Sequence, residues 1–138
     1  VPRKDSIHDA VKNALVKDGW TILDDPYRIE YDDADVYADL RVEKSDDGIN
    51  VKRTLVIEIK GFLHDSPMTD LARALGQYQL YRGYLSEVAP DEELYLAIDE
   101  IIYNTQFQRR AFQHIITVYN LALLIVNTDT EEIIQWIS

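Results

Sequence analysis

The sequence predicts an α/β fold, a mixed β-sheet with α-helices packed on it, and three observations carry this. Segments with helical apolar spacing alternate with short apolar strands in the order α, several β, α, β, α, β, β. Neither an internal repeat nor a linker interrupts that order. The length of 138 residues, 46% hydrophobic and 28% charged, suits one soluble domain spanning 1–138 with a core of its own.

The elements follow in chain order. "DSIHDAVKNALVKDGW" reads as an amphipathic helix capped by Asp5 or Ser6, with Ile7, Val11, Ala14 and Leu15 on one face and Gly19 as the stop. Short strands are expected around Trp20–Leu23 and Arg28–Tyr31, on either side of the turn "DDPY". Val36–Glu43 alternates as a single half-buried strand, and "KSDDGIN" forms a hairpin into Lys52–Lys60. Ser66 as cap and Pro67 at the first helical position open a second helix to about Val88, with Met68, Leu71, Leu75, Tyr78 and Leu85 at helical spacing. Glu93–Asp99 is a strand, "NTQFQRRAFQHIITVYN" one helix, Leu121–Asn127 a strand, and "EEIIQWIS" a closing strand after "TDT".

Charge narrows the function classes. The 14 Lys and Arg against 25 Asp and Glu leave a net charge of −11, which repels nucleic acid at long range. A local site in which carboxylates hold a cation that meets a phosphate stays compatible with that balance. With no cysteine, disulfides, thiolate chemistry and Cys-based zinc sites are excluded. No apolar run approaches the roughly 18 residues that span a membrane, and the first residues lack a secretory apolar stretch, so the expectation is a cytoplasmic protein without a membrane partner. Acids crowd the segment from Asp24 to Asn50, mostly flanking turns, where a solvated rim explains them. Asp39 is the exception, since it lies mid-strand between Ala38 and Leu40.

The chemistry is sought in "TLVIEIKGF". Alternation puts Leu55, Ile57 and Ile59 on one face of this strand and Val56, Glu58 and Lys60 on the other. Glu58 and Lys60 thus neighbour each other near the C-terminal end, where α/β sheets present ligands, and the preceding strand can set Asp39 beside them. Two converging carboxylates call for a positive charge between them, and Mg²⁺ or Mn²⁺ with oxygen ligands is the natural occupant. Lys60 could then serve a water or a phosphate, which suits metal-assisted phosphodiester hydrolysis. A lone Glu-x-Lys is a weak motif, and a salt-bridged pair on a partly covered sheet face is the competing reading.

Beyond these residues, "HDAVKNALVKDGWTILDDP", "YADL", "IEIKGFL", "ALGQYQLYR", "LYLAI" and "EEIIQWI" together resemble the XisH family across nearly the whole chain. More broadly, a first helix, Asp39, Glu58-Ile59-Lys60 and a glutamine-bearing helix resemble the PD-(D/E)XK nuclease superfamily. The resemblance implies a restriction-endonuclease-like α/β fold and a role as an excision controlling factor for the fdxN element of cyanobacteria. It implies a divalent-metal-dependent DNA endonuclease, or a non-catalytic subunit of that fold working through an XisI-type protein partner. Carried over by position, Asp39 and Glu58 hold Mg²⁺ or Mn²⁺ with the Ile59 carbonyl, Lys60 is catalytic, and Gln77 lies near the site. His8 and Asp9 are the candidates for a first-helix contribution. DNA is the expected substrate, and a homodimer is a further option.

The remaining polar residues carry less. His8 and Lys12, one helical turn apart, can face the site or line an exposed helix face. Arg73, Gln77, Tyr81 and Tyr84 share roughly one helical face; the tyrosines suit either a nucleic-acid backbone or ordinary packing with wet hydroxyls. His64 and His114 have no ligand-spaced partners, and the pair Arg109–Arg110 is too short for a DNA track.

Overall fold

The computed structural model describes residues 4–45, 51–64 and 66–138. The elements are α1 (Lys4–Lys17), β1 (Thr21–Asp24), β2 (Tyr27–Tyr31), β3 (Ala34–Ala38), β4 (Leu40–Ser45), β5 (Lys52–Ile59), α2 (Pro67–Val88), β6 (Glu93–Asp99), α3 (Glu100–Asn104), α4 (Arg110–Tyr119), β7 (Leu123–Asn127) and β8 (Glu132–Ile137). Six strands form one mixed sheet in the order β1-β4-β5-β6-β7-β8, while β2 and β3 pair only with each other. Within the sheet β5, β6 and β7 run parallel, and the flanking pairs are antiparallel. This is the expected helix-flanked α/β architecture, consistent with the restriction-endonuclease-like type.

Strand alternation builds two cores, one on each sheet face. Leu55, Ile57 and Ile59 of β5 join Tyr95, Ala97, Leu124 and Val126 beneath Ile7, Val11, Ala14 and Leu15 of α1. Val56 joins Leu96, Ile98, Leu123 and Ile125 on the other face, under Leu71, Ala74, Tyr78, Tyr81 and Leu85 of α2. The predicted core face of α1 is therefore observed. On α2 it shifts slightly, because Met68 is 43% exposed while Ala74 and Tyr81 are buried.

Several boundaries differ from the sequence reading for physical reasons. Helix α1 is already formed at Lys4, so Asp5 and Ser6 lie within its first turn and neither precedes it as a cap. Gly19 does end the helical segment, with φ of +94° that a side chain would resist. The segment read as one strand, Val36–Glu43, is two: β3 ends at Ala38, β4 begins at Leu40, and the chain changes sheets at Asp39. The single helix read after Glu93–Asp99 is also broken. Helix α3 starts earlier, a 3-10 turn at Gln106–Gln108 drives Phe107 into the core, and α4 resumes at Arg110. The Thr105 hydroxyl bonds back to the Ile101 carbonyl at 2.7 Å, a competitor to helix continuation. Most of the predicted hairpin connection, residues 46–50, lies outside the described residues.

Helix α2 starts as expected. The Ser66 side chain accepts a hydrogen bond from the Thr69 amide at 3.2 Å, and Pro67 occupies the first turn, where its missing N–H costs nothing. Ser66→Ala is expected to lower stability by about 1 kcal/mol in urea unfolding, the usual loss for a serine cap.

Candidate metal and phosphodiester site

The break at Asp39 creates the site. In the β4–β5 ladder Leu40 stands opposite Ile57, and continuing that register by one residue sets Asp39 against Glu58. One residue further the ladder has ended, and the Ile59 amide donates instead to Asp39 Oδ2 at 2.7 Å. Asp39 thus replaces a lost backbone acceptor and is held with its carboxylate beside the end of β5.

Glu58 lies on the α2 face of β5, as alternation requires, and only 5% of it is exposed. Its Oε2 is 3.1 Å from Lys60 Nζ, which sits one residue past the strand and continues the ladder through its own amide to the Ala97 carbonyl at 3.0 Å. Its Oε1 is buried and has no hydrogen-bond partner, and the same holds for Gln77 Oε1. Burial foremost, then the Asp39 charge, raises the Glu58 carboxyl to about 7, against the lowering effect of Lys60. The Tyr81 hydroxyl is pushed up to about 12, first by burial and then by the charges of Glu58 and Asp39, which places it in the same field. Gln77 lies one turn before Tyr81 on α2 and shares its face.

From the opposite side α1 contributes His8. Its Nδ1 is 3.9 Å from Asp39 Oδ1 and its Nε2 is 2.8 Å from Asp25 Oδ1. Lys12 donates to Asp25 Oδ2 at 2.7 Å. Burial works to raise the Asp25 carboxyl, but Lys12 and His8 outweigh it and hold the group below the usual range. His8 is thus held by Asp25 and stands beside Asp39 at the site's edge. Asp9 is exposed, and its charge is felt by Lys12. Asp25 was not legible as part of this group, because its contact with His8 joins residues 17 apart and leaves no local pattern.

The tyrosines divide. Tyr78 donates to the Leu94 carbonyl and accepts from the Ala122 amide, both at 3.1 Å, and Tyr81 donates to the Tyr37 carbonyl at 2.9 Å. Both are packing residues with protein partners for their hydroxyls. Tyr84 stacks on Tyr31 at 5.2 Å between ring centroids.

Among the described residues no group of three or more His, Asp and Glu side chains is arranged to hold a metal ion. A cation here would instead draw on the Asp39 and Glu58 carboxylates with a backbone carbonyl. The orphaned Glu58 Oε1 fits such a donor set, because a buried carboxylate oxygen without a partner is costly unless something positive meets it.

Fold and site together define an α/β protein with an acid, acid, lysine centre at the edge where β4 leaves β5. A family model described as XisH protein matches residues 1–134. The chain belongs to the XisH family. The crystal structure of an XisH family protein from Nostoc punctiforme PCC 73102 is 33% identical, with TM-score 0.89, covering 97% of this chain and 100% of that one. That of an fdxN element excision controlling factor protein from Anabaena variabilis is 35% identical, with TM-score 0.89, covering 98% and 100%. A comparison with curated proteins gives no match. Among the described residues no helix is long and apolar enough to cross a membrane.

Proposed function

We propose that this chain is a divalent-metal-dependent nuclease of the PD-(D/E)XK type, acting on DNA in programmed element excision. The observation that carries the reading is Glu58, a buried carboxylate with one oxygen on Lys60 and the other unpartnered, beside the anchored carboxylate of Asp39. A stability role alone would not place an unpaired carboxylate oxygen under a helix. The role named for the Anabaena variabilis relative supports the excision context.

Asp39, Glu58 and the Ile59 carbonyl would hold Mg²⁺ or Mn²⁺. When bound, such an ion supplies Lewis acidity and a water of lowered pKa. The chain's own residues set the rest. Lys60 offers three N–H donors to the attacking water or a phosphate oxygen. The Ile59 amide fixes Asp39, and His8 stands behind Asp39 as a positioning residue. Gln77 offers an amide on the α2 side.

Lys60→Ala is expected to cut Mg²⁺- or Mn²⁺-supported cleavage by about a hundredfold or more, the usual weight of a positioned proton-transfer or charge-stabilising group. The assay uses linear, nicked and branched DNA. Equal behaviour of wild type and variant on all three would sink the enzyme reading.

A second reading is favoured by the net charge of −11, which opposes free-standing DNA binding. Here the chain is a non-catalytic subunit that works through an XisI-type partner. A stable complex with that partner, together with no cation uptake, would decide for it.

A further inference from the structure

Outside the acid–lysine group, the loop between β5 and α2 carries a second arrangement of titratable side chains. Asp70, in the first turn of α2, is a buried carboxylate at 7% exposure. Both its oxygens are given to one residue: Oδ1 lies 2.6 Å from His64 Nδ1, and Oδ2 accepts the His64 amide at 3.2 Å. The His64 ring itself is 68% exposed. A buried acid that fixes an exposed imidazole orients that imidazole. It holds the Nδ1 edge toward the acid and leaves Nε2 facing out.

Helix capping does not account for the pair, since Ser66 already meets the Thr69 amide. His64 and Asp70 line a depression of about 130 Å³ together with Lys60, Arg73, Phe62 and Leu63. Phe62, at φ of +51°, turns the chain there, and its ring packs edge-on against Phe107, which pins the loop to the core. A lysine, an arginine and an oriented imidazole thus line one small hollow, beside the Asp70 carboxylate that holds the ring. The ammonium and the guanidinium donate N–H groups, while the outward Nε2 donates to an anion oxygen when the ring is protonated and accepts from a phosphate O–H when it is not; in a protein of net charge −11 this set suits a phosphate.

We propose that His64, Arg73 and Lys60 form a phosphate-binding subsite, with Asp70 as the positioning residue for His64. The ligand is a phosphate group, either of a nucleic-acid strand running past the acid–lysine centre or of a small phosphorylated molecule. The strand source rests on the nuclease reading, whereas phosphate binding itself needs neither metal nor cleavage. A loss of the nuclease reading therefore leaves this proposal standing, and the reverse also holds.

The test is carried out on metal-free protein in EDTA, following the His64 ring signals by NMR. Inorganic phosphate, a short single-stranded oligodeoxynucleotide and chloride are titrated at constant ionic strength. Saturable shifts of the His64 ring with phosphate, absent with chloride, are expected. His64→Gln and Arg73→Gln should each weaken binding about tenfold, the weight of one charge-assisted hydrogen bond; in the first variant binding is followed through backbone amide signals. His64→Gln keeps the backbone amide that Asp70 also uses, and Arg73 is exposed, so neither substitution removes a core contact. Tighter binding of the oligonucleotide than of phosphate assigns the subsite to a strand; equal or weaker binding assigns it to a small phosphate. Ring signals that respond to phosphate no more than to chloride would overturn the proposal. So would wild-type phosphate affinity in both variants.

Discussion

Glu58→Gln is expected to stabilise the metal-free protein at pH 8 by up to about 3 kcal/mol, while removing its response to Mg²⁺. The Glu58 carboxyl rises from the ordinary 4.5 to about 7 in the folded chain, through burial first and the Asp39 charge second. At about 1.4 kcal/mol per pH unit this difference amounts to about 3 kcal/mol. Its sign follows from linkage. The folded state binds this proton more tightly than the unfolded state, so the group costs nothing well below pH 4.5. The cost accumulates as pH rises from 4.5 to about 7 and is constant above that. Urea unfolding in EDTA should therefore show the variant gaining on wild type by about 2 kcal/mol or more between pH 5 and pH 8. A gain that stays flat across that range would contradict a buried carboxylate with a raised pKa. Glutamine is neutral, so it cannot supply the second negative charge that a divalent cation requires.

Phe107→Ala is expected to cost about 3–5 kcal/mol, a large part of the stability of an ordinary domain. Phe107 is fully buried, and its ring packs edge-on against Phe62 and Phe112 at 5.2 Å, with Tyr103 at 6.4 Å. Truncation removes all three contacts at the 3-10 turn. Because Phe62 follows Lys60 by two residues, the loss should reach the loop that carries Lys60 and His64. Thermal or urea unfolding gives the stability term. A cost below about 1 kcal/mol would mean that the site can repack.

How much the sequence revealed depends on how local each signal was. Glu58 and Lys60 were legible because alternation along a strand is a two-residue rule: Glu58 lies on the α2 face of β5, and Lys60, one residue past the strand, reaches it at 3.1 Å. The start of α2 was legible because Ser66 and Pro67 act on their own backbone. Asp39 stands out in the sequence for lying mid-strand, and its importance has a different basis. It marks the point where a run that alternates smoothly from Val36 to Glu43 leaves one sheet for another, and its carboxylate replaces the missing ladder acceptor at Ile59. Nothing in the alternation announces that break. The division of the third helix was hidden in the same way, since Thr105 and Phe107 suit a helix until tertiary packing draws Phe107 inward. The pairs His8–Asp25 and His64–Asp70 were missed for opposite reasons. The first joins distant parts of the chain, and the second crosses from a loop to a helix over six residues, a spacing with no periodic meaning.

In the proposed function Asp39 and Glu58 make one divalent-cation site. Titration of Mn²⁺ and Mg²⁺ into wild type and Asp39→Asn by calorimetry tests it most directly. Asparagine keeps an oxygen for the Ile59 amide, so the anchoring bond survives and only the charge is lost. One ion bound per chain is expected in wild type, with binding weakened about a hundredfold or more in the variant. No ion bound by wild type, or equal binding by both proteins, would contradict it.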